Sequence, residues 1–193
     1  MKISYYLPSE RLTNAELEKL YNDPSWTANK IFRKTGIISR PIASDSELVS
    51  DLAVNAAQKL FLEHSVDPSE IDFILLCTQS PDYLLPTTAC MVQSRLGIPT
   101  SAGALDFNLG CSGFIYGLAL AKGLLSSNIA KNILLITSET YTKHIYPLDR
   151  STRTIFGDAA AAVLIRNEDV SKIGEFILGT DGTGSYNLII PAG

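Results

Sequence analysis

The sequence predicts an α/β fold in which a mostly parallel mixed sheet lies between helices, and three features point to it. Short continuous apolar runs, such as "DFILLCTQ" (Asp72 to Gln79) and "KNILLITSE" (Lys131 to Glu139), read as strands covered on both faces. Segments with apolar residues at helical spacing alternate with them. A composition that is 46% hydrophobic and 19% charged gives the 193 residues enough apolar surface for a substantial core.

The elements follow in order. "KISYYL" (Lys2 to Leu7) is a first strand, ended by Pro8. "NAELEKLY" from Asn14 is a polar helix with Thr13 as its N-cap. Ser25 to Arg40 is basic and mixed, with a turn at Gly36. "SDSE" (Ser44 to Glu47) matches a capping box, and Leu48, Leu52, Ala56 and Leu60, with Val49, Ala53, Ala57 and Phe61, then share one helix face. After the Asp72 strand, Pro86 and Thr87 open a helix that Gly97 closes. "GALDFN" (Gly103 to Asn108) is the next strand. "SGFIYGLALAKGLLSS" is a helix so apolar that it is expected to be buried. The Lys131 strand follows, and "AAAAVLI" and "KIGEFILGTD" (Lys172 to Asp181) are expected to be two further strands. No repeat, linker or low-complexity tract interrupts the series.

Several function classes are excluded at this level. A net charge of -4 gives no reason to expect nucleic acid as a partner. Three cysteines at irregular spacing, without a CxxC pair, argue against a disulfide framework and a zinc site, and fit a reducing compartment. The first residues lack the apolar core of a signal peptide, and the longest apolar run is too short to cross a bilayer, so a soluble cytoplasmic protein is expected. "SYNLIIPAG" stops in an apolar run, which suggests a cut within a larger unit.

One junction carries chemistry. In "ALDFNLGCSGFIYGLALAKGLL" (Ala104 to Leu125) an extended run meets Gly-Cys-Ser-Gly and a helix begins at once. Cys111 then stands at a helix N-terminus, where free backbone N–H groups and the helix dipole favour the thiolate. Gly110 and Gly113 permit a tight turn and close approach of a substrate. A buried inert thiol explains the residue equally well at this level, and Ser112 is a weaker alternative nucleophile.

The same stretch closely resembles the active-site segment of the β-ketoacyl-acyl carrier protein synthase III family, condensing enzymes of the thiolase superfamily. "RLTNAELEK", "KTGI" followed by Arg40, "LLPTTACMVQSRLG", "LDRSTRTIFGDAAAAVLI" and "GTDGTGSYNLIIP" extend the resemblance in the family's order and spacing. It implies a thiolase-like fold of two similar βαβαβαββ halves, of which residues 1–193 match the N-terminal half that carries the nucleophilic cysteine, the C-terminal half being absent. It further implies that Cys111 takes an acyl group from a thioester. Malonyl-acyl carrier protein then loses carbon dioxide, and its enolate attacks the acyl-cysteine to give a β-ketoacyl product in fatty acid biosynthesis. The family's decarboxylation histidine and asparagine, and a second oxyanion donor, lie in the other half. One such donor is worth about 3 kcal/mol, so the isolated chain is expected to be acylated slowly and not to condense.

By the same resemblance, Arg150 contacts coenzyme A, and Phe156 and Gly157 line the acyl and pantetheine tunnel. Leu85 reaches across a dimer interface towards the partner's acyl pocket. Each has a plainer reading: a solvated arginine, a packed turn and a core leucine. Asp158 is expected to bond nearby backbone. The basic residues Lys30, Arg33 and Lys34 could attract coenzyme A phosphates or an acidic carrier protein, or form a solvated face. Here the chain departs from the family pattern, because Lys30 stands where the family has an adenine-stacking tryptophan. Trp26 lies four residues earlier, one turn away if that stretch is helical. This makes an acyl donor carried on protein an alternative to acyl-coenzyme A. Cys77 and Cys90 are expected to be inert core thiols, His64 a surface residue, and His144 an unfavoured candidate base for Cys111. No metal and no cofactor are implied, coenzyme A entering as substrate; the second partner is another copy of the chain, in a homodimer, with aggregation expected otherwise. The rival readings are a related thiolase-fold acyltransferase, a polyketide-type synthase and a non-catalytic partner subunit.

Overall fold

The computed structural model describes residues 1–190. In chain order the elements are β1 (Lys2–Tyr6), β2 (Glu10–Thr13), α1 (Asn14–Tyr21), α2 (Ala28–Thr35), β3 (Ser39–Ile42), α3 (Val49–His64), β4 (Phe73–Cys77), α4 (Thr88–Leu96), β5 (Gly103–Phe107), α5 (Gly113–Ser126), β6 (Asn132–Glu139) and β7 (Ala159–Arg166). The main sheet has the order β1-β7-β6-β4-β5. β4 pairs parallel with β5 and β6, whereas β7 pairs antiparallel with β6 and β1. Four strands therefore run one way and β7 alone reverses. Taken with α3, α4 and α5, this is the βαβαβαββ succession. The β2–β3 hairpin and the helices α1 and α2 are inserted after β1.

Strand alternation sorts the core into two. Leu76, Leu134, Ile136 and Ala162 face α3 and α4, where Leu52, Ala56, Leu60 and Val92 are fully buried. Leu75, Ile133, Leu135 and Val163 face α5 on the other side. Period-two alternation on apolar strands makes this two-sided division inevitable.

Helix ends form where the residue chemistry places them. Thr13 and Glu16 close a reciprocal capping box on α1. Gly36 (φ 71°) and Gly97 (φ 67°) take the left-handed conformation that ends α2 and α4. The first two N–H groups of α4 are held by the Asp106 carboxylate, from Thr88 at 2.6 Å and Ala89 at 2.7 Å.

Three expectations are corrected. The "SDSE" stretch closes a turn, with Ser44 N–H donating to Glu47, but the helix starts later, at Val49. Leu48 is its N-cap and is partly exposed, because the Asp51 carboxylate captures the Leu48 N–H. α5 is not enclosed: Gly117, Ala121 and Leu125 are buried, yet Ile115 is 47% and Leu120 44% exposed. Its apolarity exceeds what the chain itself covers. Finally, Lys172 to Asp181 is not a strand. The segment runs over α5, held by Lys122 Nζ to the Ile173 and Gly174 carbonyls and by the Tyr116 hydroxyl to the Gly179 carbonyl. A strand needs a sheet edge to pair with, and this path meets a helix instead. The apolar ending extends over residues 191–193, which lie outside the described residues. Among the described residues no helix is long and apolar enough to cross a membrane.

Candidate active site

β5 ends at Phe107 and α5 begins at Gly113, and Cys111 occupies the turn between them, exposed. The turn is closed by Gly113 N–H donating to the Gly110 carbonyl at 2.8 Å. Ser112 caps α5 and its carbonyl accepts from Ile115 and Tyr116. Among the described residues, nothing accepts the N–H of Cys111 or Ser112. An exposed sulfur beside free amide donors at the start of a 14-residue helix is an arrangement that can both attack an electrophilic carbon and stabilise the oxyanion formed there.

β4 supports the turn from beneath. Thr78 N–H donates to the Phe107 carbonyl at 3.2 Å, and the Cys77 thiol to the Leu109 carbonyl at 3.1 Å. The fit is close: a Cβ added at Gly113 would fall 2.3 Å from the Cys77 sulfur, so only glycine admits this contact. Burial pushes the Cys77 thiol up to about 11, which leaves it protonated and unreactive near neutral pH. Cys77 is thus an inert thiol, as expected. Cys90 is not in the core: it is exposed on α4, its thiol bonded to the Thr87 carbonyl. His64 ends α3 half-buried rather than at the surface. His144 is exposed in the short 3-10 turn Tyr141–His144 and makes no hydrogen bond to Cys111.

The basic residues gather elsewhere, on the inserted segment. Ser25, Lys30, Arg33 and Lys34 line an open depression of about 490 Å³. Trp26 precedes α2, whose N-cap is Thr27, so Trp26 and Lys30 are not one helical turn apart. Trp26 instead packs edge-on to Tyr21 at 6.0 Å, with the Lys34 ammonium 5.0 Å from its ring centre. Arg150 joins the same cluster from the other end of the chain. It bonds Asp23 at 2.7 Å and lies 5.7 Å from the Tyr21 ring centre. Lys30 and Lys34 thus share one surface with Arg150, which is remote from them in sequence.

Phe156 is 42% exposed and meets Tyr141 edge-on at 5.6 Å. Gly157 lies against β3, where an added Cβ would be 2.7 Å from the Pro41 carbonyl oxygen. Asp158 is fully buried, its carboxylate accepting from the Ala43 N–H and from both the N–H and hydroxyl of Thr142. These contacts knit the segment before β7 to β3. Leu85 is 86% exposed beside Leu84 at 91%, which overturns the core-packing reading for it.

Sequence reasoning attached no role to three polar groups around these sites. Arg40 is buried, and its guanidinium donates to the Thr154 carbonyl, through both Nε and a terminal nitrogen, and to the Asn14 side chain. Asp106 caps α4, and Glu139 holds the segment just after β4. A charged residue within an apolar run was the available signal for Asp106 and Glu139; only folding shows what each reaches.

The family profile described as 3-oxoacyl-(acyl-carrier-protein) synthase III matches residues 105–182, from β5 through the Cys111 turn and β7. A β-ketoacyl-acyl carrier protein synthase III of Caldanaerobacter subterraneus is 43% identical over 190 residues, covering 97% of this chain and 56% of that protein. A crystal structure of a 3-oxoacyl-(acyl-carrier-protein) synthase III superimposes with a TM-score of 0.89 at 52% identity, over 97% of this chain and 56% of that one. The priming β-ketosynthase of the R1128 polyketide pathway superimposes with a TM-score of 0.86 at 30% identity, over 95% and 54%. The chain spans about half the length of the curated relatives it matches.

Proposed function

Since these 193 residues correspond in sequence and fold to just over half of a β-ketoacyl-acyl carrier protein synthase III, we propose that Cys111 is the acyl-accepting nucleophile of such an enzyme. In this reading the Cys111 thiolate adds to the carbonyl carbon of an acyl thioester. The oxyanion is met by the free N–H of Cys111, the C–S bond to the carrier breaks, and the carrier thiolate leaves and takes up a proton. The acyl-cysteine so formed is then attacked by the enolate of decarboxylating malonyl-acyl carrier protein. That second step is proposed for the protein as a whole, as the carbon–carbon bond-forming reaction of fatty acid biosynthesis. The observation that carries the reading is the exposed Cys111 in a glycine-flanked turn at the start of α5.

Coenzyme A thioester enters as a substrate rather than a resident cofactor, and the cytoplasm is the proposed setting. Phe156 and Gly157 are proposed to border the acyl channel. Leu85, held out in an exposed apolar loop, is proposed as a contact between two copies in a homodimer.

A carrier-protein acyl donor is favoured as the second reading by one local feature. Arg150 is engaged by Asp23, and the Lys34 ammonium stands over the Trp26 ring at 5.0 Å, where a nucleotide base would have to displace it. Lys30, Arg33 and Lys34 remain available to an acidic carrier. Incubation of the protein with acyl-coenzyme A or acyl-carrier protein, followed by peptide mass spectrometry, tests both readings. Acyl mass is expected on the Cys111 peptide and is lost in Cys111→Ala. No acyl mass from either donor refutes the enzymatic reading and leaves that of a non-catalytic subunit.

A further inference from the structure

We propose that Glu139 is a positioning residue for the nucleophile turn, acting through Gln79; the inference rests on the reading of Cys111 as nucleophile. Glu139 is the last residue of β6. One carboxylate oxygen accepts the Gln79 N–H at 2.7 Å, and the other accepts the Ser80 hydroxyl at 2.6 Å. Ser80 in turn accepts the Thr140 N–H at 3.0 Å. The carboxylate thereby clamps the segment after β4 to the end of β6. Among the described residues it forms no ion pair, and burial pushes its pKa up. A half-buried carboxylate without a cation costs stability unless its hydrogen bonds repay the lost hydration. Here both oxygens are spent on one short segment.

That segment bears directly on the nucleophile. The Gln79 side chain lies against Gly110, where an added Cβ would fall 2.8 Å from the Gln79 amide oxygen. Gly110 precedes Cys111, and its carbonyl closes the turn with Gly113. Two further contacts from the same strand end, Thr78 to Phe107 and Cys77 to Leu109, hold the start of the turn. Cys77, Thr78 and Gln79 therefore fix the turn at successive points, and Glu139 fixes Gln79 by its backbone. Displacement of β4's end by a fraction of an ångström would be transmitted to Gly110, and so to the direction of the Cys111 sulfur and N–H. Reaction geometry is sensitive on that scale.

The test compares Glu139→Ala, Glu139→Gln and Gln79→Ala in the intact protein. Two rates are read: acylation of Cys111 by a saturable donor, and alkylation of Cys111 by iodoacetamide, with exposed Cys90 as internal reference. Glu139→Ala and Gln79→Ala are expected to lower the saturating acylation rate about tenfold, with the half-saturating donor concentration nearly unchanged. Glu139→Gln is expected to recover most of that loss, because its amide oxygen can accept the Gln79 N–H while its NH₂ donates to the Ser80 oxygen. Glu139→Ala at the wild-type acylation rate overturns the proposal. So does Glu139→Gln that is as slow as Glu139→Ala, since negative charge rather than position would then be the requirement. If Glu139→Ala does not fold, Gln79→Ala decides, because its side chain is exposed and its removal leaves the carboxylate clamp in place. If the wild-type protein is never acylated on Cys111, the nucleophile reading fails separately. The ratio of Cys111 to Cys90 alkylation still measures the positioning effect: a lower ratio in the two alanine variants supports it and an unchanged ratio refutes it.

Discussion

On one face of the sheet α3 and α4 bury Leu52, Ala56, Leu60 and Val92 completely; on the other, α5 covers Leu75, Leu135 and Val163 but leaves its own Ile115 and Leu120 nearly half exposed. The strands contribute equally to both faces, since their side chains alternate. The difference lies in what lies above them. Two helices interlock over one face, and a single helix with the irregular segment from Ile173 lies over the other. Tyr116, Leu120, Leu124 and Leu178 line an open apolar depression of about 390 Å³ along α5. The turn that holds exposed Cys111 sits at the N-terminal end of that less covered helix. Closed packing and open apolar surface are thus divided between the two faces.

The largest expected contrast comes from leucine truncation. Leu52→Ala should destabilise the 193-residue chain by about 3–5 kcal/mol, because it opens a cavity in a fully packed layer. Leu120→Ala should stay within about 0.5 kcal/mol in the same denaturant titration. Equal losses would mean that α5 is as enclosed as α3. A finer contrast separates the two sides of α5 itself. Gly117→Ala places a methyl 2.6 Å from buried Leu135, and overpacking should cost about 1–3 kcal/mol. Gly123→Ala meets nothing within 4 Å and should raise stability by about 0.5–1 kcal/mol, by restricting the unfolded chain.

The smallest effect concerns the rim of the open face. Burial by itself raises the Asp169 pKa, but hydrogen bonds from the Met1 ammonium, the Arg166 N–H and Lys172 bring it down to about 2. A depressed carboxylate pKa stabilises the fold above its unfolded value, near 4, and that contribution disappears as pH falls to about 2. Asp169→Asn should therefore cost about 1–2 kcal/mol at neutral pH, with the gap to wild type closing between about pH 4 and 2. Hydrogen exchange should show α5 loosening before α3 over that window. Simultaneous loosening would contradict a rim specific to α5.

Local patterning was a reliable guide to elements and to the strand-to-helix turn that carries Cys111, and a poor one to what surrounds them. The apolar runs at β4 and β6, the Thr13 cap and the glycine stops at Gly36 and Gly97 are local events, fixed by side chains within a few residues. Cys111 was legible for the same reason, since Gly-Cys-Ser-Gly between an extended run and a helix is a local pattern. Cys90 was misread because one apolar neighbourhood fits either side of α4. The Lys172 to Asp181 segment was misread because strand character requires a free sheet edge. Glu139 was visible as a charge ending an apolar run, but its link to Gln79 was not, because the two stand 60 positions apart until the sheet pairs their strands.

What the sequence determined by itself is therefore the succession of strands and helices, their caps, and a cysteine at a strand-to-helix turn, because these depend on periodicity and backbone preference over short spans. Tertiary structure alone decided which face was closed, which thiol was buried, and which carboxylate held the segment after β4 that lies against Gly110. Those outcomes depend on distances between residues remote in the chain, and only the packed sheet brings such residues within hydrogen-bonding range.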